Sequence, residues 1–210
     1  ETAFCIFLDF VKAFDTVNHE ILLRKLNYYG IRGTPLAWFK SYLSNRQQYT
    51  EVDDVLSDIN DIHCGVPQGS ILGSLLFLIY INDIICSSNI LKFFLLADDT
   101  TIFYSSKVNA ETEQILNTEL NKENNWLHAN KLSLNIAKSN YLKFSQVQEL
   151  CTVTVKMAKQ PLTQKKVTKY LGVLIDENLS WKHHIDSINL KIHRGIGMIR
   201  KIRDMISSST

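Results

Sequence analysis

The sequence predicts an α+β fold, in which an antiparallel sheet carries helices packed on one face. Short apolar runs of strand-forming residues and longer stretches with helical spacing both occur along the chain. They mix without the regular alternation that doubly wound folds require. The chain has 210 residues, of which 45% are hydrophobic, and this is enough for one sizeable core. We therefore expect one large domain, or a domain with an appendage.

The first predicted strand spans residues 3–10 and carries Asp9 near its C-terminal end. Its other residues are apolar, which is typical of a buried strand. A helix should follow, capped by Thr16 or Asn18 and ended by Gly30. Its apolar positions recur at helical spacing, at Ile21, Leu22, Leu26 and Tyr29. A strand followed at once by a helix places Asp9 where ligands commonly bind.

A second helix is predicted from Pro35 to Leu43, because proline suits the first turn of a helix. Its buried side would be formed by Trp38, Phe39, Tyr42 and Leu43. Two strands, in residues 47–52 and 59–63, should then flank an acidic loop at residues 53–58.

The segment from Gly65 to Asp83 begins with a stiff loop of glycines and a proline around Gln68. Ser70 is expected to cap an apolar helix that ends near Asp83. A glycine-rich turn at a helix N-terminus can bind an anion or a flat ligand. An ordinary helix entry has the same composition, so both interpretations stay open.

Two adjacent acids, Asp98 and Asp99, lie between two runs of strand formers within residues 91–104. These runs predict two short strands joined by a tight turn. The acids are either solvated turn residues or ligands of a divalent cation, because adjacent carboxylates repel each other. If Asp9 converged with them, the three could hold two Mg²⁺ ions about 4 Å apart for an in-line phosphoryl transfer.

The C-terminal part is predicted to contain one amphipathic helix at residues 111–128 and further strands. Lys138 precedes a strand at residues 141–144. Additional strands are expected at residues 153–156 and 169–176. A long basic helix should occupy residues 180–206, with Gly195 and Gly197 loosening its middle.

Charge is unevenly distributed, although the formal net charge is only +2. Residues 1–137 contain 10 Lys and Arg against 16 Asp and Glu, whereas residues 138–210 contain 13 against 5. A basic segment beside acidic candidates for catalysis suits a polyanionic ligand, although a lysine-rich surface also serves solubility.

Membrane and disulfide signals are weak throughout the sequence. The longest strongly apolar stretch, residues 71–81, is too short to span a bilayer, and no basic leader precedes an apolar core. The four cysteines lie far apart and form no plausible zinc site with the six histidines. We expect no membrane partner and reduced thiols in an intracellular compartment.

Three segments, FLDFVKAFDTVNH at 7–19, GVPQGSILGSLLFLIYINDI at 65–84 and LADDT at 96–100, resemble motifs A, B and C of reverse transcriptases. Their residues are similar to those of the reverse transcriptases of non-long-terminal-repeat retrotransposons, close to the jockey-like group. Residues 130–139 and 169–181 resemble motifs D and E, so five motifs occur in the family's order.

The resemblance implies a polymerase palm in residues 1–178, with a hairpin insertion at 45–64. Residues 179–210 would form a basic helix that starts a helical thumb. The fingers segment that precedes motif A in the family is expected to be missing.

The resemblance also implies roles for residues at the motif positions. Asp9, Asp98 and Asp99 would be the catalytic acids, and they would bind metal together with the Phe10 carbonyl. Lys138 would protonate or neutralise the pyrophosphate leaving group. Without the motifs, a solvated charge is the simpler interpretation of Lys138.

The remaining implied roles concern nucleotides and primer. Phe14 would be the steric gate that excludes a ribose 2′-OH, although a core position is the simpler interpretation of this ring alone. Gln68 and Gly69 would contact the incoming nucleotide and template. The primer end would be held by a hairpin that contains Tyr170, Leu171 and Gly172.

These roles imply an RNA-directed DNA polymerase that uses two Mg²⁺ ions, with Mn²⁺ as a possible substitute. Its partners would be an RNA template, a DNA primer and deoxynucleoside triphosphates, in the nucleus, the cytoplasm or both. One alternative is an inactive or domesticated remnant that keeps the fold and binds nucleic acid. Another is an RNA-directed RNA polymerase, which fits Phe14 and the motif B wording poorly.

Overall fold

The computed structural model describes residues 2–107, 111–145 and 153–203. The strands there are β1 Thr2–Leu8, β2 Arg46–Gln48, β3 Glu51–Val52, β4 Val55–Leu56, β5 Asn60–Ile62, β6 Lys92–Leu96, β7 Asp99–Ser106, β8 Asn140–Phe144, β9 Lys156–Met157, β10 Gln160–Pro161, β11 Thr163–Gln164, β12 Val167–Tyr170 and β13 Val173–Asp176. The helices are α1 His19–Tyr28, α2 Thr34–Leu43, α3 Ile71–Ile81, α4 Thr112–Ala129 and α5 Lys182–Arg203, and a 3-10 helix, Asn82–Ser87, follows α3.

A five-stranded sheet in the order β11-β8-β1-β7-β6 forms the centre of the molecule. β1 pairs antiparallel with both β7 and β8, and β6 pairs antiparallel with β7. The short edge strand β11 is parallel to β8. The predicted α+β class with an antiparallel sheet is therefore confirmed, with one parallel strand at its edge.

Side-chain alternation along β1 separates the two faces of this sheet. Phe4, Ile6 and Leu8 are buried on the face that carries the helices. The core side chains of α1, α3 and α4 that belong to the same cluster are Leu22, Leu26, Leu76, Phe77, Tyr80, Ile81, Leu116, Leu120 and Leu127. On the opposite face, the ring of Phe7 lies 5.3 Å from the ring of Tyr170 at the end of β12.

Two helices begin where the capping signals predicted. The Asn18 side chain accepts a hydrogen bond from the Ile21 amide at 3.1 Å, so Asn18 caps α1 and Thr16 does not. The Ser70 hydroxyl likewise accepts from the Gly73 amide at 2.9 Å and caps α3. These caps fix the directions in which α1 and α3 leave the motif A and motif B segments.

Two expectations for the region after α1 were wrong. Trp38 is 55% exposed and stacks on Tyr42, so it does not belong to the buried side of α2. The predicted acidic loop is instead a hairpin, in which β3 pairs with β4 across Asp53 and Asp54. Both residues have positive φ, 49° and 64°, which aspartate tolerates in the tight turns that match strand twist.

The C-terminal part agrees with the prediction except at one strand. Residues 169–176 form two strands, β12 and β13, joined by the hairpin that the resemblance implied, with φ values of 48° at Leu171 and 84° at Gly172. The strand expected at residues 153–156 begins only at Lys156. α5 continues through both glycines without interruption, and residues 204–206 of the predicted helix lie outside the described residues.

None of the described helices is long and apolar enough to cross a membrane.

Candidate active site

The acidic hairpin closes the end of strands β6 and β7. Leu96 pairs with Asp99 across a two-residue loop of Ala97 and Asp98. Ala97 has a φ of 52°, which permits this tight reversal between two strands. Asp99 is therefore held as the first residue of β7, whereas Asp98 lies in the loop.

Asp9 lies directly after β1 at the same end of the sheet. The last pair between β1 and β7 joins Leu8 to Thr100, so the antiparallel register places Asp9 opposite Asp99. Both side chains belong to the sheet face that points away from the helices, because Leu8 and Thr100, which precede Asp9 and follow Asp99, pair with each other on the helix face. The structure thus brings two acids from distant motifs to the same end of two neighbouring strands.

The acids influence each other electrostatically. Partial burial raises the pKa of Asp99, and the negative charges of Asp98 and Asp9 raise it further. Among the described residues, the carboxylates of Asp9, Asp98 and Asp99 do not form a cluster with the geometry of a metal site. Strand pairing fixes the backbone of Asp99 in β7, and Asp9 directly follows the last paired residue of β1.

A cavity of about 380 Å³ opens between this edge of the sheet and the β12–β13 hairpin. It is lined by Phe7, Leu8, Asp9, Asp99, Thr100, Thr101, Lys138, Asn140, Thr168, Lys169, Tyr170, Leu171 and Gly172. Motifs A, C, D and E therefore meet around one space. Lys138 is exposed there, and the hairpin turn of Leu171 and Gly172 forms part of the cavity wall.

Three polar residues of this cavity were missed by the sequence interpretation. Thr101 is 3% exposed, and its hydroxyl has no hydrogen-bond partner among the described residues. The Thr168 hydroxyl donates to the side-chain oxygen of Asn140 at 2.9 Å, which ties β12 to β8. Period-two alternation from Asp99 would have placed Thr101 on the same face, whereas the Asn140 contact has no local signal in the sequence.

The lysine segment, defined as residues 133–139, is bonded to the end of β1. The Asn135 amide donates to the Asp9 carbonyl at 2.7 Å, and the Asp9 amide donates to the Ser139 hydroxyl at 3.1 Å. Phe10 forms an isolated antiparallel bridge with Leu134, and the Phe10 side chain is buried. The position of Lys138 is thereby linked to that of Asp9.

Phe14 lies in the hydrophobic core. It is 9% exposed, and its ring stacks on Phe77 of α3 with 4.5 Å between ring centroids. It is not among the residues that line the cavity beside the acids. The structure therefore gives this ring a packing partner.

Gln68 and Gly69 lie at the entry to α3, on a different surface. Gln68 lines a second cavity of about 740 Å³, whose wall also includes Lys12 and Arg46. Gly69 has a φ of 83°, which favours glycine. Gly73 is also required, because a Cβ there would overlap the Pro67 carbonyl. The predicted nucleotide-contacting loop and the acids thus border separate cavities.

Comparison with known proteins identifies similar sequences. The model of the family described as "Reverse transcriptase (RNA-dependent DNA polymerase)" matches residues 1–175. The chain is 29% identical over 196 residues to the probable RNA-directed DNA polymerase from transposon X-element of Drosophila melanogaster, covering 89% of this chain and 21% of that protein. It is also 29% identical over 198 residues to the RNA-directed DNA polymerase from mobile element jockey of the same species, covering 90% and 21%. The chain spans about a fifth of the length of these relatives.

Solved structures with a similar fold include two telomerases in complex with a fragment of telomeric RNA. For the Candida tropicalis protein, the TM-score is 0.57 at 12% identity, over 86% of this chain and 29% of that chain. For the Candida albicans protein, the TM-score is 0.56 at 14% identity, over 85% and 30%. At such low identity the likeness concerns the fold, and it agrees with the predicted palm.

Proposed function

Because the chain belongs to the reverse transcriptase family, we propose that it forms the palm of a retrotransposon RNA-directed DNA polymerase. It would add deoxynucleotides to the 3′ end of a DNA primer on an RNA template. The observation that carries this proposal is the placement of Asp9 opposite Asp99 at the rim of the cavity that Lys138 and the β12–β13 hairpin also line.

The acids suit a divalent cation. Their donor atoms are carboxylate oxygens, which Mg²⁺ prefers. The pKa of Asp99 is raised by burial and, further, by the negative charges of Asp98 and Asp9, which a cation would offset. Asp9, Asp98, Asp99 and the Phe10 carbonyl would hold two Mg²⁺ ions, with Mn²⁺ as a substitute. Bound there, such ions would activate the attacking hydroxyl and stabilise the leaving oxygens.

The other side chains of the cavity would handle primer and leaving group. Lys138 is exposed on the segment bonded to Asp9, so its ammonium group can approach the pyrophosphate and offset its charge. Tyr170, Leu171 and Gly172 line the same cavity as Asp9 and Asp99 and would position the primer end. Gln68 and Gly69 would contact the nucleotide and template. Because Gln68 lines a different cavity from the acids, the bound ligand would have to extend beyond the acid cavity.

The alternative is a remnant that binds nucleic acid without catalysis. It is favoured by one observation, the exposed basic surface of α5, which includes Lys191, Arg194 and Arg200 and does not depend on the acids. Both proposals predict binding, and only the first predicts chemistry.

Primer extension separates them. The chain is incubated with a DNA primer annealed to RNA, deoxynucleotides and Mg²⁺, and elongation is compared with that of Asp99→Asn. We expect Asp99→Asn to reduce elongation by at least about a hundredfold, because it removes a negative charge that would hold the catalytic cations. Asp58→Asn, on the exposed hairpin of residues 46–62, is the matched control and should elongate normally. Binding without elongation would support the remnant instead.

A further inference from the structure

The backbone of Asp9 is bonded on both sides by the lysine segment. Its carbonyl accepts from the Asn135 amide at 2.7 Å, and its amide donates to the Ser139 hydroxyl at 3.1 Å. Two residues further on, the Val11 amide donates to the Ser133 carbonyl at 2.8 Å. The chain on either side of Lys138 therefore holds the end of β1.

Ser139 has a particular place in this arrangement, because regular strand pairing stops before Asp9. The last pair between β1 and β8 joins Phe7 to Asn140. Beyond it, the Ser139 hydroxyl supplies the acceptor for the Asp9 amide that a strand carbonyl would otherwise supply.

The hydroxyl is itself fixed. It donates to the Asn135 carbonyl at 2.9 Å, and Ser139 is 0% exposed. Its donor and its acceptor roles are thus both used inside the protein, where water cannot replace either bond. One side chain joins Asp9 to the turn that contains Lys138.

We propose that Ser139 is a positioning residue, which holds Asp9 at the place where its carboxylate shares a cation with Asp99 and keeps Lys138 in register with both. This inference rests on the proposed function. Without the hydroxyl, the Asp9 amide loses its hydrogen-bond acceptor, while the Asn135 bond still tethers the strand end. Asp9 can then pivot about its carbonyl, and its carboxylate moves relative to Asp99.

The test is a titration of the whole chain with Mn²⁺, in which electron paramagnetic resonance measures the concentration of the free ion. Ser139→Ala should weaken Mn²⁺ binding roughly three- to tenfold, the equivalent of one ordinary hydrogen bond. Ser139→Thr retains the hydroxyl and should bind more tightly than Ser139→Ala. Ser139→Cys is nearly isosteric with a poor hydrogen-bonding group, and it serves if the alanine variant does not fold.

Two controls separate positioning from general stability. Ser133→Ala lies in the same segment, but only the Ser133 backbone bonds to β1, so its Mn²⁺ affinity should equal that of the wild type. Leu120→Val removes buried volume in α4 and should lower the melting temperature without changing Mn²⁺ affinity. Amide hydrogen exchange at Asp9 should become faster in Ser139→Ala and in neither control.

Asp9→Asn distinguishes failure of the inference from failure of the proposed function. If Asp9→Asn weakens Mn²⁺ binding but Ser139→Ala and Ser139→Cys do not, Ser139 has only a structural role and the inference is overturned. The same holds if exchange at Asp9 accelerates while affinity stays unchanged. If Asp9→Asn binds Mn²⁺ as the wild type does, or the wild type binds none, the cation site of the proposed function is wrong and the inference falls with it.

Discussion

The Ser87 hydroxyl donates a hydrogen bond to the carboxylate of Glu123, which is 0% exposed. The second carboxylate oxygen of Glu123 has no hydrogen-bond partner among the described residues. Burial raises the pKa of Glu123 to about 7, and the charge of Glu119 one helical turn away raises it as well, whereas the Ser87 bond opposes the shift. Glu119 is itself bonded to Ser88 and Lys122, and its pKa is lowered by these partners, against the effect of burial.

The first prediction follows from the upward shift of the Glu123 pKa. The folded protein keeps the proton of Glu123 up to about pH 7, whereas the unfolded chain loses it near its ordinary value of 4.5. The stabilisation that this group contributes is therefore present below pH 4.5 and is lost as the pH rises to 7. Glu123→Gln mimics the protonated form and should be more stable than the wild type at pH 8 by up to a few kcal/mol, an order-of-magnitude figure.

Urea unfolding at pH 5, 6, 7 and 8 measures the difference between Glu123→Gln and wild type, which should grow with pH. Glu51→Gln, on an exposed strand, is the control and should show a constant difference. A gap that shrinks with rising pH would contradict the assignment of Glu123 as protonated.

The second prediction concerns Lys25, which joins α1 to α3. Its ammonium donates to Asp83 and to the Tyr80 carbonyl, each at 2.5 Å, and lies 4.8 Å from the ring centroid of Trp126. Burial lowers the pKa of Lys25, while Asp83 opposes this shift. Lys25→Met should destabilise the fold by about 1–3 kcal/mol, because a buried carbonyl and a carboxylate lose their donor.

A double-mutant cycle checks the prediction for Lys25. Asp83→Asn in the Lys25→Met background should cost less than Asp83→Asn alone. Lys40→Met, on the exposed side of α2, should change stability by less than about 0.5 kcal/mol. Strict additivity of the two changes would show that the ion pair does not couple these helices.

The third prediction concerns whether Phe14 makes the protein discriminate between deoxyribonucleotides and ribonucleotides. If the ring contacts the incoming nucleotide from its place against Phe77, Phe14→Val should raise the ratio of ribonucleotide to deoxynucleotide incorporation. The same change opens space in the core and should also lower stability, while Phe14→Ala should cost roughly 3–5 kcal/mol.

Phe77→Val is the matched control for Phe14, since it removes the same stack from the other side. It should lower stability without altering the ratio of the two nucleotides in primer extension. If Phe14→Val leaves the ratio unchanged while stability falls, Phe14 is a packing residue and no gate.

The fourth prediction concerns nucleic-acid binding by α5. Binding of an RNA–DNA hybrid should weaken steeply with salt, with a slope of about 0.7 to 0.9 in log affinity against log salt for each phosphate neutralised. Arg194→Gln with Arg200→Gln should reduce that slope by about 1.4 to 1.8. Fluorescence anisotropy at several salt concentrations measures the slope, and Lys40→Gln is the control. A slope that the two arginine changes leave unaffected would exclude α5 as the binding surface.

Local patterns in the sequence predicted much of the fold. The apolar run ending at Asp9, the strand formers around Asp98 and the caps Asn18 and Ser70 each depend on neighbouring residues, and the structure has the corresponding elements. The hairpin turn at Asp53 was missed because Asp53 and Asp54 adopt positive φ, which period-two alternation does not reveal. The hairpin at Leu171 was expected only from the resemblance to motif E. Trp38 was misplaced because apolar spacing identifies a helix face without showing whether a neighbour covers it.

The site depends more on contacts between distant residues. The motifs indicated which acids to examine, but the bond between Asp9 and Ser139 joins residues that no local pattern connects. The same is true of Asn140 and Thr168, whose side chains meet across two strands. Such polar contacts follow from the sheet order, and the sheet order was not predicted.

The position of β1 in the middle of the sheet has a consequence for how the chain folds during synthesis. Thr2 pairs with Ser106 and Ala3 pairs with Phe144, so β1 cannot pair with both neighbours until the chain has been synthesised beyond residue 144. Until then, the apolar face of β1 has no permanent cover, and closing such long loops is slow. Nascent chains that stall before residue 144 should therefore depend on chaperones, and pausing of translation downstream of that point would favour the native sheet over aggregation.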